Sequence, residues 1–183
     1  MSTTHWHLLS PPDPNLFEAR VQLHHALQPA ASVGHTLVPP APDQSHSNFE
    51  WLDELGALVG KVTPDGYRAG LRFRDLTLLL LNADATVHSS LALTGRSQAD
   101  AYGWLEQAIA TLSGHAPEAP FVKSPYDLPP HPTANGASFG ASELYAELAR
   151  WYADADRALQ QVAADHAGAS PVRCWPHHFD IAT

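Results

Sequence analysis

The residues best suited to chemistry lie in the last segment, Ser170-Pro171-Val172-Arg173-Cys174-Trp175-Pro176-His177-His178-Phe179-Asp180-Ile181-Ala182-Thr183. Its β-branched and aromatic content reads as a final strand over 172–183. Pro176 inside it makes that strand an edge or a bulged one, because proline cannot donate to a ladder. Side chains alternate along a strand, so Cys174, His178 and Asp180 project from one face and Trp175, His177, Phe179 and Ile181 from the other. His178 and Asp180 then form a His-x-Asp pair, the pairing that a 2-His-1-carboxylate iron centre uses, with a distant histidine completing the face. The third ligand must come from upstream, from His88 on a strand over 86–93 or from His24 on the first helix. On this reading the cofactor is a divalent metal, Fe or Zn, and the chain is a metal-dependent enzyme for a small polar or anionic molecule. In the alternative use of the same residues, His178 and Asp180 hydrogen-bond each other or the backbone while Trp175 and Phe179 fill the core.

Arg68, Arg72 and Arg74 are the second feature. Three of only ten basic residues share one strand face, where paired guanidinium groups could hold a carboxylate or phosphate. The plainer reading is a solvated face balanced by Asp and Glu. Cys174 beside Arg173 invites the idea of an activated thiolate, since a neighbouring cation lowers a thiol pKa; a buried, inert cysteine is the competing view. His5-Trp6-His7 and His24-His25 have no fixed ligand geometry. Gly-x-Ser-x-Gly, a phosphate loop and Gly-x-Gly-x-x-Gly are all missing, which weakens hydrolase, nucleotide and dinucleotide readings. A non-catalytic binding or assembly module therefore stands beside the metal enzyme, with Trp- and Pro-rich loops as its partner surface.

The run Trp175-Pro176-His177-His178-Phe179-Asp180, with Leu93-Thr94-Gly95, Trp104-Leu105 and Tyr126-Asp127-Leu128-Pro129, resembles an uncharacterised family of bacterial proteins that carry this signature in mid-chain. The resemblance covers most of the chain and implies that it is the N-terminal portion of a longer fold, or a naturally short form. It brings no activity with it. In the binding-module reading the C-terminal strand pairs with another copy or with a second-half chain.

These residues must be positioned by elements that the periodicity predicts. Asp13-Pro14 reads as the cap and first position of a helix of about fourteen residues ending near Pro29. Its apolar stripe is Leu16, Phe17, Val21, Leu23 and Leu27, with His24 inside it. An extended crossing follows over 34–48, then a short helical turn around Phe49, Trp51, Leu52 and Leu55. Thr63-Pro64-Asp65-Gly66 predicts a hairpin between strands at 57–62 and 67–73. Apolar parity then switches between Phe73 and Leu76, which predicts a bulge or break near Asp75. Asn82-Ala83-Asp84-Ala85 predicts the next turn. Ser97 with Asp100 predicts a capping box for a helix ending before Gly114. The longest helix is expected over 142–166, with Leu144, Leu148, Trp151, Tyr152, Ala155, Leu159 and Val162 facing the core.

The sum is α+β, an antiparallel sheet built from hairpins with helices packed on one face. One domain over 1–183 is expected, with a Pro-rich N-terminal arm (1–14) and long loops at about 29–48 and 114–138. Ten Lys and Arg against nineteen Asp and Glu give a net charge of −9, which opposes broad contact with a phosphate backbone, so no nucleic-acid partner is expected. The longest pure leucine run, 78–81, is far too short to span a membrane. A lone cysteine excludes an internal disulfide framework. A cytoplasmic location is the corresponding expectation.

Overall fold

The computed structural model describes residues 13–117, 119–121 and 126–183. Most of the Pro-rich arm, with His5-Trp6-His7, lies outside the described residues.

Helix α1 spans Leu16–Leu37. Asp13 starts it as a turn rather than as the cap itself: its Oδ1 accepts the Asn15 N–H at 2.7 Å and its carbonyl accepts that of Leu16 at 2.9 Å. The expected stop at Pro29 does not occur. Proline removes the N–H that would bond the His25 carbonyl, and this usually breaks a helix. Here Gln98 donates its Nε2–H to that carbonyl at 3.1 Å. The orphaned acceptor is satisfied from another helix, so α1 continues to Leu37 and residues 29–37 are helix, not loop. Phe17, placed in the stripe by spacing, is 70% exposed.

Five strands form one antiparallel meander in the order β1 (Glu50–Leu52), β2 (Ala57–Val59), β3 (Tyr67–Arg72), β4 (Thr77–Asn82) and β5 (Val87–Ala92). The first replaces the short helical turn expected there: Phe49 and Trp51 are buried while Glu50 between them turns outward, a period of two. The Thr63–Gly66 turn forms as expected, with the Gly66 N–H on the Thr63 carbonyl at 2.9 Å and Gly66 at φ +83. The parity switch near Asp75 is the expected break, in the form of a complete tight turn rather than a bulge. Arg72 pairs with Thr77 across it, and buried Leu76 takes a left-handed φ of 48. A register shift does occur one strand later, at Leu80/Leu81.

Helix α2 (Gln98–Ser113) opens on a capping box in which Ser97 and Asp100 exchange hydrogen bonds, and ends at Gly114 in the left-handed region. Helix α3 (Leu144–Asp165) follows the long loop. Its first half is buried through Tyr145, Leu148 and Tyr152, whereas Trp151 and Val162, expected inside, are 37% and 47% exposed. The main core joins α1, α2 and α3 to one sheet face through Leu58, Ala69, Leu71, Phe73, Leu78 and Leu80. Ala57, Val59, Leu79 and Leu81 form a smaller cluster on the other face. Among the described residues, no helix is long and apolar enough to cross a membrane.

The C-terminal segment departs most from expectation. It is two short strands, β6 (Arg173–Trp175) and β7 (Asp180–Ala182), paired with each other. Cys174 exchanges two backbone hydrogen bonds with Phe49, at 2.8 and 2.9 Å, which ties this hairpin to the chain entering β1.

Candidate functional site

The tetrapeptide Pro176-His177-His178-Phe179 is thus the turn of a hairpin, and the alternation assumed for a single strand does not apply. Two amides, those of His178 and Phe179, converge on the Trp175 carbonyl at 3.3 and 2.8 Å. Phe179 is buried at φ 55. A bulky residue in the left-handed region is a costly conformation and persists only where its surroundings overdetermine it.

Helix α1 supplies most of those surroundings. Arg20, His24 and Gln28 fall at i, i+4 and i+8, one stripe of the helix. His24 Nε2 and Gln28 Nε2 both donate to the Pro176 carbonyl, at 2.8 and 3.0 Å. Arg20 Nη2 and the Tyr152 hydroxyl both donate to the Phe179 carbonyl, at 2.9 and 2.7 Å. The His24 ring stacks on the Phe179 ring, centroids 5.1 Å apart and planes 9° apart, and the Arg20 guanidinium lies 5.4 Å from the Phe179 ring centroid. Because a carbonyl only accepts, the His24 proton sits on Nε2. Its Nδ1 is then a bare, buried acceptor without a hydrogen-bond partner among the described residues. Burial, with a further contribution from the Arg20 charge, pulls the His24 pKa down to about 4 against the opposing Pro176 hydrogen bond.

Held this way, the turn presents His177, His178 and Asp180 to a cleft of about 390 Å3, lined also by Trp175, Tyr126, Pro42, Asp43 and Gln44. The Tyr126 and His177 rings stack at 4.2 Å, and the His177 and His178 rings lie 4.2 Å apart. The opposite wall comes from the loop after α1. Gly34 allows that loop to approach: a Cβ there would come within 2.9 Å of the His46 carbonyl and the Ser47 Cα. The Ala41 N–H donates to His46 Nδ1 at 3.1 Å, and Gln44 adopts a φ of 59. A hydrogen bond from the Ser45 backbone holds the Asp43 carboxyl below its ordinary range. Burial, reinforced by His178 and opposed by Asp180, lowers the His177 pKa. At neutral pH the cleft therefore combines aromatic rings, a neutral imidazole and carboxylates.

The proposed metal triad is not assembled. His178 and Asp180 reach the same cleft, but both are exposed. His88 is exposed on β5, at the edge of the sheet opposite β1, the strand next to the C-terminal hairpin. Four strand steps of about 4.8 Å put the two edges about 19 Å apart. His24, the other candidate, is buried with its ring stacked on Phe179, away from the exposed His178 and Asp180. Among the described residues, no group of three or more His, Cys, Asp and Glu side chains is placed to hold a metal ion.

The arginine stripe disperses too. Arg68 is buried and paired with Glu50, Arg72 makes a bidentate contact with Asp75 at 2.7 to 3.1 Å, and Arg74 has left the strand for the turn. Cys174 is fully buried, and burial pushes its thiol pKa far up, so Arg173 does not activate it. Sequence reasoning missed Arg20, Gln28, Tyr152 and the Asp43-Gln44 wall. Only the first two left a signal, as a polar i, i+4, i+8 series through His24.

No protein-family model, curated protein or solved structure matches the chain. Fold and site together define an α+β chain with a built turn at the mouth of an acidic, aromatic cleft.

Proposed function

We propose that the chain is a non-catalytic binding module whose cleft takes a small, flat molecule carrying positive charge or several hydrogen-bond donors. One observation carries this reading: the Pro176–Phe179 turn is locked from behind by four buried or half-buried side chains, while its front presents rings, imidazoles and carboxylates to an open cleft. Rings such as Trp175 and Tyr126 offer faces to a planar cation, and Asp43 and Asp180 offer carboxylates to its N–H groups. The volume falls within the usual range of ligand clefts, about 300–1,000 Å3. A metal-dependent enzyme acting through His178 and Asp180 is less well supported, because its third ligand is across the sheet.

Calorimetry with benzamidine, a flat cation, tests the reading. Heat of binding is expected with the wild type and a loss of about tenfold in affinity with Asp180→Asn, the scale of one charge-assisted hydrogen bond. Equal affinity of the two proteins for benzamidine, or equal affinity of the wild type for benzoate, would overturn it.

A further inference from the structure

Arg68, which the sequence grouped with Arg72 and Arg74, has different company in the fold. Its Nε donates to the Gly60 carbonyl at 2.7 Å and its Nη2 to Glu50 Oε1. From β6, Arg173 Nη1 lies 3.7 Å from the other Glu50 oxygen. Lys61 borders the same pocket, of about 160 Å3, and has no carboxylate at ion-pair distance among the described residues. Three cations thus share the pocket with one carboxylate, Glu50, while Asp43 and Asp156 act on Lys61 and Arg173 from outside its lining. The strain is felt at Lys61, whose pKa is lowered by burial and then by the Arg173 charge, with Glu50 only partly offsetting them.

A second observation is independent of charge. Asn48, 3% exposed, also lines the pocket, and its Oδ1 has no hydrogen-bond partner among the described residues. An unpaired amide oxygen calls for a donor, so Asn48 can meet an oxyanion only in the other orientation of its amide. Turned over, the same amide offers donors in place of the acceptor.

We propose that this pocket binds a small oxyanion, a carboxylate or a phosphate group, held by Lys61, Arg68 and Arg173 with the Asn48 amide beside it. Arg68 is fixed by Gly60 and Glu50 before any ligand arrives, so its guanidinium is pre-organised. Lys61 supplies an ammonium that has no ion-pair partner among the described residues. The pocket is small enough for one such group and a few further atoms, and it is separate from the cleft at the Pro176–Phe179 turn, so the inference does not rest on the function proposed there.

The test is a titration of the 15N-labelled protein with inorganic phosphate and, separately, with acetate, with ionic strength held constant by chloride. Saturable shifts of the Gly60, Lys61 and Arg173 amides are expected with at least one anion, and the stronger of the two identifies the ligand as phosphate or carboxylate. Lys61→Gln, a change at a half-exposed side chain, should weaken binding about tenfold, the scale of one charge-assisted hydrogen bond. Glu50→Gln removes the competing carboxylate and should tighten it. No saturable shift with either anion, or an affinity unchanged in Lys61→Gln, would overturn the proposal.

Discussion

His24 makes acid a specific stress on this fold. Its pKa falls from 6.5 to about 4 in the native state. The unfolded chain therefore takes up this proton as pH drops through 6.5, while the folded chain resists until about 4. Stability from this site is complete above the unfolded pKa and is lost as pH falls through that window. The linkage relation puts the loss at about 2.5 kcal/mol between pH 7.5 and 4.5. His25, His35 and His177 are lowered in the same direction, so the whole profile is steeper than His24 alone would make it. His24→Gln isolates the term, since glutamine retains an N–H for the Pro176 carbonyl but does not titrate. Urea denaturation from pH 7.5 to 4.5 should show the variant losing about 2.5 kcal/mol less than the wild type. Parallel profiles for the two proteins would refute the reasoning, whatever their absolute stabilities at pH 7.5.

Three further outcomes follow from single contacts. Gln98→Ala should destabilise the protein by about 1–3 kcal/mol, the cost of leaving the His25 carbonyl unpaired above Pro29, read as a lower urea midpoint. Gly34→Ala gains helix propensity, yet its Cβ meets backbone at 2.9 Å; a net loss of about 1–2 kcal/mol and altered chemical shifts over residues 41–48 are expected, the cost of overpacking exceeding the gain. Cys174 should not react with a thiol reagent in the native protein and should react fully in denaturant, since its sulfur is buried and its thiolate disfavoured.

What the sequence made legible was local. Thr63-Pro64-Asp65-Gly66 and the Ser97/Asp100 box each contain their whole mechanism within four residues, and both formed as expected. Pro29 was misleading because its compensation, Gln98, lies 69 residues away, and no local pattern announces that a freed carbonyl has a partner. The turns at Leu76 and Phe179 were hidden for a related reason. Each uses a bulky apolar residue at positive φ where glycine or asparagine would have signalled a turn, and tertiary packing sustains the strain. Pro176 did mark an irregularity, but 172–183 otherwise has the composition of one strand, and the alternation of a strand sets His177 opposite His178 and Asp180, whereas all three border one cleft. The residues of the cleft were therefore half visible: the turn's own side chains could be named, while the Asp43 wall and the α1 clamp depend on how α1 packs.

The most direct measurement of the account is a residue-resolved map of where a flat cation binds. In 15N-edited spectra, benzamidine should produce saturable shifts at the Trp175 indole N–H and the backbone amides of Asp43, Gln44, His177, His178 and Asp180, and benzoate should leave those signals in place. Shifts scattered over the surface, or the same shifts with benzoate, would contradict the claim that the α1-held turn presents an acidic, aromatic recognition cleft.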